Sequence, residues 1–187
     1  CIRGTWTSGA TPGSNQVGVK MIALSTAVSS NRNSFKNILF KGQSTGVMSD
    51  FDVVENVFDH CEFDTLRYGM VWGETTSIGG QGMATGPQRN VVHNSEFHDI
   101  DRQALWVHKG QFNASHNNRF ISVGNNGGTE GNAVYSVIKF TDGTALSNSS
   151  NSDWFDRTAS LSYDQNFISG YAYIPEVEGP GVFDNEF

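Results

Sequence analysis

Apolar residues in this chain come in short runs separated by polar corners: VGVKMIALST at 17–26, SFKNILF at 34–40, YGMVWG at 68–73, QALWVHK at 103–109, AVYSVIKF at 133–140 and GYAYIP at 170–175. Runs of this length, rich in β-branched and aromatic residues, predict strands. Stretches of Gly, Ser, Thr, Asn and Pro at 7–16, 73–88, 124–132, 141–153 and 175–181 predict loops. Short strands with polar corners and no helix between them predict an all-β chain that coils through three small strands per turn.

A repeat runs through the runs. In VVHNSEFHDI, residues 91–100, Asn94 stands three places before Phe97, and the same step recurs at Asn37/Phe40, Asn117/Phe120, Asp164/Phe167 and Asp184/Phe187, with His60/Phe63 as a variant preceded by Asp59. Five of the thirteen Phe residues obey it, against about two expected from composition, a base rate that makes the pattern a real excess. Phe40 and Phe63 are 23 residues apart, as are Phe97 and Phe120. Phe63 and Phe97 differ by 34, a turn plus the loop at 73–88. A period of about 23 residues with insertions at corners predicts a solenoid. Stacked turns place each marker Phe over the last in an interior ladder, with Asn and Asp at the preceding corner expected to hydrogen-bond along the axis. Five residues before the marker stand Phe35, Phe58 and Val92, with Ser115 and Ser162 as exceptions, and Cys1–Gly4 reads like the end of the strand ILFKG at 38–42.

This rung period and Asn/Phe patterning matches the right-handed parallel β-helix and resembles the β-helical segments of bacteriophage tail-associated proteins, within the broad pectate-lyase-like superfold. The resemblance implies one β-helical domain over 1–187, expected to be a piece of a longer chain. It also implies a structural and adhesive role in a virion tail (tailspike, fibre or tail tip) or at an extracellular surface. The partners it implies are trimer mates and a surface polysaccharide. Two alternatives share the fold: a polysaccharide lyase or glycoside hydrolase, and a bacterial surface adhesin.

Charge and composition narrow the partners. A net charge of −7 argues against a nucleic-acid backbone, which selects a basic stripe. No run reaches the apolar length of a membrane helix, so no membrane insertion is expected. The two cysteines, Cys1 and Cys61, are too few for a disulfide framework and are expected to be free thiols. Gly-rich 79–86 lacks the Lys and the flanking elements of a phosphate loop, and no cofactor is expected.

Candidate chemistry falls on the strand after the marker. Trp72 and Trp106 each lie nine residues past a marker Phe. In QALWVHK the alternation groups Ala104, Trp106 and His108 on the outer face and Leu105 and Val107 on the inner one. The same parity points Trp72 outward and Val71 inward, and Tyr135, Tyr171 and Tyr173 extend an outward aromatic stripe. Such a stripe suits stacking on sugar rings or packing between trimer mates, whereas the plainer reading is that the rings cover their own loops. For catalysis the candidates are Glu74, Asp99, Asp101 and His108, since β-helical polysaccharide enzymes work with carboxylates on the outer face. Acidic residues at solenoid corners are more often solvated or capping, and the Asn-Thr-Asp, Gly-His-Gly and Arg-x-Pro-x-x-Arg segments of polygalacturonase- and pectate-lyase-like chains are absent. No metal is expected: His60 with Glu62, or His93 with Glu96 and His98, meet on stacked turns but read more simply as outward polar positions, and Asn125, Asn126, Glu130 and Asp142 lack calcium-loop spacing.

Overall fold

The polar corners of this chain turn because the backbone enters the left-handed region at every fifth residue. In the computed structural model, which describes residues 1–5, 16–21, 31–49, 53–73, 86–108, 110–124, 138–141, 149–151, 153–156 and 181–183, φ is +49° to +68° at three corners of four successive turns. These are Arg32, Asn37 and Gly42, then Glu55, His60 and Thr65, then Arg89, Asn94 and Asp99, then Phe112, Asn117 and Ser122. A non-glycine residue there costs roughly 1–2 kcal/mol, least for Asn and Asp, whose side chains bond locally. That is why Asn recurs three places before the marker Phe.

Between the corners run parallel strands in three sheets, with no helix among the described residues. Sheet I holds Ser34–Lys36, Val57–Asp59, Val91–His93, Ala114–His116 and Ser149–Asn151. Sheet II holds Ile2–Arg3, Leu39–Lys41, Glu62–Leu66, Glu96–Ile100, Arg119–Val123 and Asp153–Asp156, with Gly181–Phe183 added at its edge. Sheet III holds Val17–Met21, Thr45–Ser49, Tyr68–Trp72, Leu105–His108 and Ile138–Thr141. From Ser34 to Thr141 the chain visits I, II and III in that order four times, each strand pairing in parallel with its counterpart one turn on. The arrangement is consistent with a parallel β-helix. The single run expected at 34–40 is two strands, broken at Asn37.

The marker ladder is in register: Ile2, Phe40, Phe63, Phe97, Phe120 and Phe155 are successive partners. Rings 40 to 120 are fully buried and stack at 4.8, 4.4 and 5.0 Å between centroids. The second column also forms, with Phe35 and Phe58 stacked at 4.6 Å, followed by Val92 and Ser115. Sheet III gives the Phe rings room. A Cβ on Gly46 would meet the Phe63 ring at 2.9 Å and the Gly69 carbonyl at 2.8 Å. One on Gly69 would meet the Ala104 carbonyl at 2.4 Å and the Phe97 ring at 2.8 Å.

The axial hydrogen bonds correct the expectation. Asn37, Asn94 and Asn117 are exposed, and the amide ladder runs instead through Asn33, Asn56, Asn90 and Asn113, seven places before the markers. Each of the last three lends its amide oxygen to the backbone N–H and the side-chain amide of the Asn one turn earlier, at 2.8–3.0 Å. Asn90 also donates to Val53 O and Asn113 to Pro87 O, both at 2.9 Å. A second buried column, two places before the markers, passes from Cys61 N to Ser95 Oγ, from Ser95 N to Asn118 Oδ1 and from Asn118 N to Asp153 Oδ1, at 2.8–3.0 Å. Buried polar groups satisfied in this way fix register as well as stability.

Two further differences lie toward the carboxyl end. Strands Ser149–Asn151 and Asp153–Asp156 occupy the stretch expected to loop at 141–153 and bring in Phe155, a ladder member the 23-residue spacing passes over. Gly181–Phe183 pairs antiparallel to the latter strand. Phe167, Phe187 and the expected strand at 170–175 lie outside the described residues. Both cysteines are free, Cys1 exposed and Cys61 buried, where burial pushes the thiol pKa up.

Candidate functional site: the outer face

Trp106 faces outward, half-buried, while Leu105 and Val107 are 1% and 0% exposed in the core. Trp72 does not follow. It is 0% exposed, packs 6.4 Å from the Phe58 ring, and its register partner is Val107 rather than Trp106. The outward placement of Trp72 is therefore corrected, while Val71, the register partner of Trp106, is buried at 7% exposure. The cause is one residue: Arg67 alone joins Leu66 to Tyr68, whereas Asp101 and Arg102 both lie between Ile100 and Gln103, whose carbonyl accepts from Gly69 N. Strand parity has period two, so one added residue exchanges the faces. Ala104, expected outside with Trp106, is buried beyond the extra residue.

Around Trp106 the outer face of sheet III carries Tyr68, its ring 6.1 Å away and tilted by 35°. The guanidinium groups of Arg102 and Arg67 lie 5.4 and 5.6 Å from the Tyr68 ring centre, and Arg102 also donates to the Tyr68 hydroxyl. Two cations against one ring stabilise it by cation–π attraction and leave a half-buried aromatic pair on the outer face. Tyr135, Tyr171, Tyr173 and Glu74 lie outside the described residues, as does the His108 side chain. Asp99 sits at a left-handed corner, its carboxylate 3.7 Å from His98 Nδ1. The Asp101 N–H donates to Leu66 O at 2.9 Å.

A second group of side chains gathers where sheets I and II meet. On sheet I, Lys36, Asp59, His93 and His116 are successive outward partners. Asp59 receives Lys36 at 2.8 Å, lies 2.5 and 3.5 Å from the nearer ring nitrogens of His60 and His93, and accepts from the Asn94 amide at 3.2 Å. The Lys36 ammonium foremost, then Asn94 and His60, hold its carboxyl far below the usual range against the effect of burial. The His93 and His116 rings stack at 5.0 Å, and burial followed by the neighbouring His93 lowers the His116 pKa.

On sheet II the outward partners are Lys41, Asp64 and His98, one place past the markers. Asp64 is 6% exposed. Burial raises its pKa, but Lys41 on Oδ2, the Thr65 hydroxyl at 2.5 Å on Oδ1 and the His98 ring outweigh this and hold it low. His98 Nε2 lies 3.0 Å from Glu62 Oε1, and its Nδ1 lies 3.6 Å from Asp64 Oδ1. The groupings weighed from sequence are thus redistributed: His93 faces Asp59, Glu96 accepts from Arg119 at 2.8 Å, and His98 sits between Glu62 and Asp64. The signal that sequence reasoning passed over is position relative to the marker Phe, four places before it for one column and one place after for the other.

The segments at 74–85 and 142–148, which follow sheet III strands, and that at 125–137, which follows the sheet II strand Arg119–Val123, lie outside the described residues. Compared with protein-family models, with curated proteins and with solved structures, the chain matches none.

Proposed function

We propose that the chain is a right-handed parallel β-helix segment serving as a structural and adhesive element of a phage virion tail, and that it binds surface glycans through the outer face of sheet III. The observation that carries this reading is the in-register stack itself: two stacked ring columns and two buried hydrogen-bond columns hold four successive turns in one geometry. Such a shaft keeps its shape without a ligand and repeats an outer surface every turn. On that surface the half-buried Trp106 and Tyr68 rings offer aromatic faces for sugar-ring stacking, with Arg67 and Arg102 beside them for polar contacts. Self-association into a trimer belongs to the same reading, as does location in the virion or at an extracellular surface.

A glycan array combined with a reducing-end assay tests it. Retention of a polysaccharide that is lost in Trp106→Ala, with no new reducing ends, supports adhesion. New reducing ends would replace adhesion by the hydrolase or lyase reading. An array with no retained glycan would overturn the binding part. Mass in solution tests the trimer separately.

A further inference from the structure

We propose that Glu62, Asp64 and His98 form a binding site for a first-row divalent transition-metal ion on the outer face of sheet II. One oxygen from each carboxylate and one ring nitrogen of His98 lie within 4.8 Å of one another. Metal–ligand bonds of about 2.0–2.2 Å place neighbouring donors some 3–4 Å apart, so a modest closure of side chains completes the site. The side chains able to close are the outer two, Glu62 at 50% exposure and His98 at 21%, whereas Asp64 is anchored at 8%. Two carboxylates with an imidazole suit zinc, cobalt, nickel or manganese, whereas calcium and magnesium select oxygen alone.

The rest of the cluster fits a cation. Lys41 occupies Oδ2 of Asp64, whose Oδ1 accepts the Thr65 hydroxyl and also faces His98, while Glu62 and Asp99 bring two further carboxylates to the His98 ring. With His98 Nε2 on the metal beside Glu62, Nδ1 keeps the Asp99 carboxylate 3.7 Å away behind the ring. A carboxylate behind the imidazole fixes its orientation and raises its basicity. The neighbouring Asp59 cluster brings one carboxylate to His60 and His93, whereas His98 has three within 3.7 Å. The donors are also preorganised, since His98 pairs in register with Asp64 and Glu96 with Glu62 on strands fixed by the stacked Phe63 and Phe97 rings.

Calorimetric titration of the untagged chain with zinc, and the visible absorption of added cobalt, test the site. One zinc per chain is expected, with a cobalt spectrum of imidazole and carboxylate ligation and no comparable response to magnesium or calcium. His98→Gln should abolish the cobalt spectrum, and Glu62→Gln, at an exposed position that leaves the core untouched, should weaken zinc by about tenfold or more. His93→Gln should leave zinc affinity unchanged. Absence of zinc uptake by the folded chain would overturn the proposal. So would affinity indifferent to both His98→Gln and Glu62→Gln, or lost in His93→Gln instead.

Discussion

The strands Tyr68–Trp72 and Leu105–His108 are neighbours in one sheet, follow equivalent Phe residues and each carry a tryptophan nine places on, yet one indole lies in the core and the other on the surface. Composition, local pattern and distance from the marker are alike in the two. What differs is a single residue at the preceding corner, Arg67 in one turn and Asp101–Arg102 in the next. In a stacked β architecture, counting from a landmark transmits position faithfully along a strand and fails across any corner of variable length. Face assignments need the register of the strand itself.

The sharpest test of this contrast is truncation of both rings. Trp72→Ala opens a cavity in a fully buried site and should cost about 3–5 kcal/mol in denaturant unfolding, whereas Trp106→Ala should cost about 1 kcal/mol or less. Equal losses would place both rings inside and break the comparison. The two asparagine series divide the same way. Asn90→Ala deletes an amide that joins two turns and strands buried donors and acceptors, at about 1–3 kcal/mol for each group left unpaired. Asn94→Ala exchanges an exposed left-handed Asn for a residue less suited to it, at about 1 kcal/mol. Gly69→Ala should cost about 1–3 kcal/mol by overpacking against the Phe97 ring and the Ala104 carbonyl.

Smaller effects probe the corners. Ser122 is a non-glycine residue at φ 53°, and Ser122→Gly should raise the thermal midpoint, with a gain of up to about 1 kcal/mol. Acid titration tests the outer columns. Asp59 and Asp64 ionise more readily folded than unfolded, so their stabilisation is complete above the ordinary value of 3.8 and is lost as pH falls through their lower folded values. His116 is likewise depressed from 6.5, so its contribution is complete above that value and lost on acidification through its lower folded value. The thermal midpoint should therefore fall in two stages as pH drops, with His116→Gln flattening the first and Asp59→Asn the second.

Much of the interior was legible because it repeats. The marker spacing located the ring ladder, the column at Phe35, Phe58, Val92 and the polar exception Ser115, and the match of Ile2 with Phe40, since an apolar interior position recurs from turn to turn. The asparagines at 33, 56, 90 and 113, the last three buried, share the spacing of the markers, but a polar residue reads as a corner unless its oxygen is known to meet the neighbouring turn. The Glu62/Asp64/His98 group was illegible as a cluster for a similar reason. Its members come from two turns, with His98 paired to Asp64 34 residues earlier, and only their pairing shows which carboxylates the imidazole meets.

The sequence by itself determined that this chain is built of β-strands, with turns of about 23 residues and excursions at corners, because apolar periodicity and left-handed corner residues are local requirements each turn must meet alone. The tertiary structure decided which asparagines bridge the turns, which tryptophan faces outward and which charges meet. Those outcomes depend on register between strands, and one residue more or less at a corner moves every side chain beyond it to the opposite face.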